Sequence, residues 1–332
     1  MIITGKNGIS ATMVLDSISE SGVRLTTFEL VYPRIIHSEL MTHRMFSRNA
    51  ASSRAIPFAK MKEQLTAMPV RFGAANKGMQ DTGEDFEAMV SDPDNGYSCL
   101  PNVAWEYARN SAIDWATAFH DAGYHKQIYN RLTEPYQMIK TIVTSTEMPN
   151  FFWLRNDVAA DPTLQELARV MFEVYNESKS TLLKAGEWHL PYVDCYVYVD
   201  GRDGVHYGIM DETHGVVELS LEDAIKVSSA RCAAVSFRNS DYDLAKSIVV
   251  YDRLVGDERK HSSAMEHQAT PIQHESYIQN DSGIESRTNS PPRTNTWEQG
   301  ISHMDHDGQL WSGNFRGWVQ HRKLIDGENH TN

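Results

Sequence analysis

Several protein classes need features this chain lacks. No apolar run in its 332 residues approaches the roughly 20 residues that a membrane-spanning helix requires. The start, Met1-Ile2-Ile3-Thr4-Gly5, has no basic region followed by an apolar core, so the expectation is a cytoplasmic protein without membrane partners. Cysteine is scarce: Cys99, Cys195 and Cys232 are widely spaced and in no C-x-x-C pair. That argues against a disulfide framework or zinc site and predicts reduced, mostly buried thiols. Positive charge is in deficit, 31 Lys and Arg against 44 Asp and Glu for a net charge of −13. A surface of that sign repels a polyanion, so no nucleic-acid partner is expected. The glycine loops G-x-G-x-x-G and G-x-x-x-x-G-K-[ST] are both missing, and no Ser or Cys sits in a recognisable nucleophile-base motif.

What is present is an ordinary soluble composition, 41% hydrophobic and 23% charged, around one unusual stretch. Between Ile36 and Pro57 a helical apolar pattern gives way to His43, Arg44, Arg48, Asn49, Ser52, Ser53 and Arg54. Guanidinium forks, hydroxyls and small residues together suit a loop that holds a phosphate. A local arginine cluster overrides the global field within a Debye length of about 8 Å. The plainer reading is a helix end with solvated arginines.

Around this stretch the pattern alternates between strand and helix. Val23 to Tyr32 reads as a strand, Arg34 to Phe46 as a helix, and residues 59 to 70 as another helix. Residues 73 to 98, rich in Gly, Asn and Asp, read as an irregular surface insertion. Helical spacing returns from Val103 to Ala122, and Gly123 stops it. A strand over Met138 to Thr146 follows, then a helix that Pro162 opens and that runs to about Leu183. Val193 to Val199 reads as a strand, and Leu221 to Phe237 and Asp241 to Val255 as helices. Phe151, Phe152 and Trp153 are expected in the core.

The polar stretch 275–312 reads as a loop or lid, and 313–332 as a docking segment, in the form of a terminal helix or a contact to an anionic cofactor. His303 and His306 lie three apart without further ligands, so no metal is expected.

The order His43-Arg44, seven residues, Ser52, one residue, Arg54 resembles the R-H-R-x7-S signature of flavin-dependent thymidylate synthases. Further matches follow in register: Arg131 four residues before Pro135, Asn150 five before Arg155, then Asp157, Ala160 and Pro162. Two more segments resemble the family from the wrong end of the chain. Ala230-Arg231-Cys232-Ala233-Ala234-Val235-Ser236 and His261-Ser262-Ser263-Ala264-Met265-Glu266-His267 look like elements that usually precede the signature, as in a circular permutation. If so, residues 261 to 267 fold back beside Val23 to Tyr32.

The resemblance implies that residues 1–274 form a single catalytic domain of α/β (α+β) class with a central mixed or antiparallel sheet, in a homotetramer that binds FAD and dUMP at subunit interfaces. It methylates dUMP to dTMP, with methylenetetrahydrofolate as the one-carbon donor and NADPH as the reductant. It assigns Glu39, Ser52, Ser53, Arg54, Arg131 and Arg155 to the nucleotide, with Arg155, Ser52 and Arg54 at the chemistry. It assigns His43, Arg44, Asn49, Asn150, His261 and Ser263 to the flavin. The pattern departs at Thr42, Glu39, Ala50, Ala55 and Ala159. Two alternatives follow: flavin-dependent hydroxymethylation or another C5 modification of dUMP or dCMP, and a non-catalytic nucleotide-binding protein.

Overall fold

Alternating apolar and polar residues build the frame. The computed structural model describes residues 1–77, 81, 83–197, 204–211, 215–237, 242–256, 258–273 and 297–329. One sheet takes Ile2–Thr4 (β1), Ser10–Ser19 (β2), Arg24–Pro33 (β3), Ser47–Ala50 (β4), Met138–Ser145 (β5) and Thr181–Leu183 (β6). The order is β1-β2-β3-β5-β4, with β6 also on β2. Only β2 and β6 pair in parallel, so the sheet is mixed but nearly all antiparallel. Smaller antiparallel sheets and the helices complete an α+β architecture. Among the described residues no helix is long and apolar enough to cross a membrane.

One face of the sheet is apolar. Phe28, Leu30 and Tyr32 of β3 and Ile139 and Val143 of β5 pack against the helix Pro162–Glu177. That helix starts where Asp161 caps the amides of Thr163 and Leu164 at 2.9 and 3.0 Å and Pro162 presets the first turn. Its Leu164, Leu167, Ala168 and Met171 recur at helical spacing and are buried. Each larger side chain among them contributes about 1.5–3 kcal/mol. At the edge, Arg24 grips Asp16 through two bonds of 2.8 and 2.6 Å and lies 3.7 Å over the Tyr175 ring.

The other face carries a polar line. Ser17 Oγ lies 2.8 Å from His189 Nδ1, and His189 Nε2 lies 2.8 Å from Thr27 Oγ1. Thr27 Oγ1 meets Thr144 Oγ1 at 2.7 Å, and Thr144 Oγ1 meets His267 Nδ1 at 2.8 Å. Burial lowers the pKa of both imidazoles to about 3, so both are neutral. Apolar groups flank the line: Ile142, Cys232, Val235, Ala264 and Met265 on one side, Leu25, Leu183, Ala269, Phe315 and Trp318 on the other.

The structure corrects several sequence expectations. Residues 1–22, where the sequence pattern marks no element, hold β1 and the ten-residue β2. The helix expected over 34–46 stops at Met41, and Thr42 Oγ1 caps the Glu39 carbonyl at 2.7 Å. Of residues 59–70 only 59–62 belong to a helix, Phe58–Lys62, and the helix opened by Pro162 ends at Glu177, before β6. Trp153 is 78% exposed while Phe151 and Phe152 are buried. On the helix Met148–Arg155 it follows Phe152 by about 100°, which turns it away from the core.

Within 275–312, residues 275–296 lie outside the described residues. The described remainder is loop broken by two short strands, His303–Met304 and Leu310–Ser312, which form a three-stranded sheet with Phe315–Arg316 of the terminal segment. The terminal segment docks as a strand. Trp318–Gln320 pairs with Ala269–Pro271, and Trp318 Nε1 donates to the Val23 carbonyl at 3.1 Å.

Candidate active site

Two constellations stand at the end of the sheet where β4 pairs with β5. The first centres on His43, in the turn between the short helix His37–Met41 and β4. Its ring stands edge-on to Phe151 at 4.9 Å and 5.7 Å from Phe46, so core aromatics fix its plane. Arg155, the last residue of the helix Met148–Arg155, donates from Nε to His43 Nε2 at 2.9 Å. A guanidinium only donates, so Nε2 is the acceptor and the proton of the neutral ring sits on Nδ1. Burial, then the charges of Arg155 and Arg48, lower the His43 pKa to about 4. Arg48 Nη1 also donates to the His43 carbonyl at 2.7 Å.

The second constellation is the loop after β4. Arg34 Nη2 donates to the Ala51 carbonyl at 2.9 Å, and Asn130 Nδ2 donates to the carbonyls of Ser53 and Ile56 at 2.8 and 3.1 Å. Ser53 Oγ donates to Glu134 Oε1 at 2.6 Å. Asn130, Arg131 and Glu134 share one 3-10 turn, Asn130–Tyr136, so that turn and the loop are one unit. Arg131 itself is exposed, and its Nε donates to the Gln127 carbonyl at 3.2 Å. It lies close enough to Arg34 for its charge to help lower the Arg34 pKa, after burial.

Between the two lie Tyr32, His37 and Arg48. Tyr32 OH lies 2.8 Å from His37 Nδ1 and 2.9 Å from Thr141 Oγ1. Burial, then Arg34 and Arg48, lower the His37 pKa to about 4. A run of guanidiniums thus borders two neutral imidazoles, in a chain whose net charge is −13.

The residues picked out by sequence divide accordingly. His43 and Arg155 meet directly, and Ser53 joins the turn that carries Arg131. Ser52 is tied by its amide to the Ser236 carbonyl at 3.2 Å, which brings the 230–236 segment to the loop. Arg54 and Arg44 are exposed and make no side-chain hydrogen bond or ion pair among the described residues. Asn49 is nearly buried on β4, opposite Ile142. Asn150, Ser263 and Glu39 are exposed; Glu39 accepts from Ser38 Oγ at 2.8 Å.

His261 is also exposed, with its amide bonded to the Leu254 carbonyl, and among the described residues nothing bonds it to Arg44. The 261–267 segment lies against β4 and β5 rather than directly beside β3. Hydrogen bonds link it to β3 through His267, Thr144 and Thr27. Arg231 turns inward to the carbonyls of Tyr192 and Tyr242.

Sequence reasoning placed Arg48 in the arginine cluster but missed Arg34, His37, Asn130 and Glu134. For Glu134 the signal is spacing: it follows Arg131 by three residues, one 3-10 turn. No family model matches the chain, and none of the curated proteins matches it.

Proposed function

We propose that the chain is a flavin-dependent enzyme that transfers a one-carbon unit to C5 of a pyrimidine nucleoside monophosphate, converting dUMP to dTMP with methylenetetrahydrofolate and NADPH. The observation that carries this reading is the 2.9 Å bond between Arg155 Nε and His43 Nε2. It unites two parts of the motif pattern that lie far apart in the chain, at a place where cations gather.

The donor set fits anionic, phosphate-bearing ligands. Arg44 and Arg54 point to solvent without a carboxylate partner among the described residues, and Arg131 has only a carbonyl. Ser52, Ser53, Arg54 and Arg131 hold the nucleotide phosphate in this proposal, each charge-assisted contact contributing about 1.5–3 kcal/mol. Arg155 places positive charge at the pyrimidine, where negative charge develops as C5 attacks the one-carbon unit. Its Nε is occupied by His43, which leaves the terminal nitrogens for the ring and fixes their plane.

In this proposal His43, Arg44, Asn49, Asn150, His261 and Ser263 would hold FAD, and the flavin would supply redox chemistry with NADPH as the reductant. A homo-oligomer, a tetramer in this reading, completes the site. The helix Pro101–Asp121 buries only Ala116 and leaves Tyr107 and Trp115 exposed, as a subunit interface would require.

The test is mass spectrometry of the products from dUMP and from dCMP, each with methylenetetrahydrofolate and NADPH. The expected product is dTMP, from a yellow protein that oxidises NADPH when nucleotide is present. Hydroxymethylated dUMP or dCMP would replace the proposed reaction with its alternative. Absence of flavin and of any product would leave a nucleotide-binding protein.

A further inference from the structure

The loop that this reading gives to the phosphate already holds an anion of its own. Ser53 is buried, and its hydroxyl donates to Glu134 Oε1 at 2.6 Å, a short charge-assisted bond. The same oxygen lies 3.8 Å from Arg34 Nη1, a loose ion contact. Arg34 is held in place by the Ala51 carbonyl at 2.9 Å, and its Nε is buried with no partner among the described residues. Arg131 stands one turn before Glu134 and bonds only the Gln127 carbonyl. One hydroxyl and one guanidinium therefore meet a single carboxylate, with the exposed Arg131 on the same 3-10 helix three residues before it.

We propose that Glu134 is the resident counter-anion of this loop, a specificity residue that occupies the phosphate position in the free protein and makes the loop selective for dianionic phosphate. The proposal rests on the reading that residues 51–54 bind phosphate. A singly charged ligand offers Ser53, Arg34 and Arg131 no more than Glu134 already does. A phosphate dianion has more charge and three free oxygens, enough to engage all three groups at once. Glu134 has a way out: its side chain is 33% exposed and sits in a turn at the surface. The loop keeps its shape when Glu134 leaves, because Asn130 holds Ser53 and Ile56, Lys126 holds Ala55 and Ser236 holds Ser52.

The test is calorimetric titration of the full chain with inorganic phosphate, a nucleoside monophosphate and formate, comparing wild type with Glu134→Gln and Glu134→Ala. Glutamine keeps an acceptor for Ser53 and loses the charge, so phosphate and monophosphate should bind at least about fivefold more tightly. The preference for phosphate over formate should fall, and Glu134→Ala should change both in the same direction. If wild type binds phosphate and neither variant binds it more tightly, Glu134 is scaffold and the proposal fails alone. If neither wild type nor the variants bind phosphate or monophosphate, the loop is no phosphate site and both readings fail.

Discussion

Arg155 Nε and His43 Nε2, 112 residues apart in the chain, lie 2.9 Å apart. Arg155 is the second largest cause of the low His43 pKa, after burial. Arg155→Ala should therefore raise the His43 pKa from about 4 towards the ordinary histidine value without reaching it, since burial remains. Nuclear magnetic resonance titration of the imidazole checks this directly. On the proposed function the same variant should depress turnover more than nucleotide affinity, because its charge matters most as the pyrimidine becomes anionic. Normal turnover with poor affinity would count against that role.

Phe151 connects the core to the candidate site. Its ring packs 5.1 Å from Phe46 and 4.9 Å from His43 and is fully buried. Phe151→Ala should cost about 3–5 kcal/mol of stability, read from denaturant unfolding. His43 would lose one wall, so its resonances should broaden or double even below the unfolding transition. A stable variant with an unchanged His43 spectrum would show that Phe151 does not orient the ring.

Arg131 is the simplest probe of the phosphate loop. Its guanidinium is exposed and bonded only to the Gln127 carbonyl, so Arg131→Ala should leave folding nearly unchanged. Loss of one charge-assisted contact should raise the nucleotide dissociation constant roughly tenfold or more. Unchanged binding by titration would remove Arg131 from the site.

Much of the frame was legible in the residues because burial imposes periodicity. The alternation in Val23 to Tyr32 and Met138 to Thr146 yields β3 and β5, and Gly123, at φ +85°, ends its helix as a left-handed stop. Strand β2 escaped notice because Ser10, Asp16, Ser17 and Ser19 are polar yet buried. Ser17 serves His189 and Asp16 serves Arg24, partners that no alternating pattern reveals. The motif spacing pointed to His43, Arg155 and Arg131 as candidates. It could not show Glu134 or Arg34, whose place depends on how the 130–136 turn folds against the loop.

The buried histidines make stability depend on pH. His189 and His267 are fully buried and have their pKa lowered to about 3 by burial, whereas the unfolded chain protonates them near 6.5. The unfolded state therefore binds the extra protons, and stability rises with pH. Their contribution is complete above about pH 6.5 and is lost as pH falls from there towards about 3, at up to about 1.4 kcal/mol per pH unit for each ring. Between pH 7 and pH 5 most carboxylates stay ionised in both states, so this window isolates the histidines. His37, His43 and His321, with pKa values lowered to about 4, act in the same direction. Urea unfolding should therefore show a loss of about 2 kcal/mol per fully buried histidine between pH 7 and pH 5. His267→Asn keeps a polar atom near Thr144 but cannot titrate, so its stability should fall less steeply over the same range. Equal stability at the two pH values would mean that the Ser17–His189–Thr27–Thr144–His267 line accepts protons, and that the imidazoles are not held neutral.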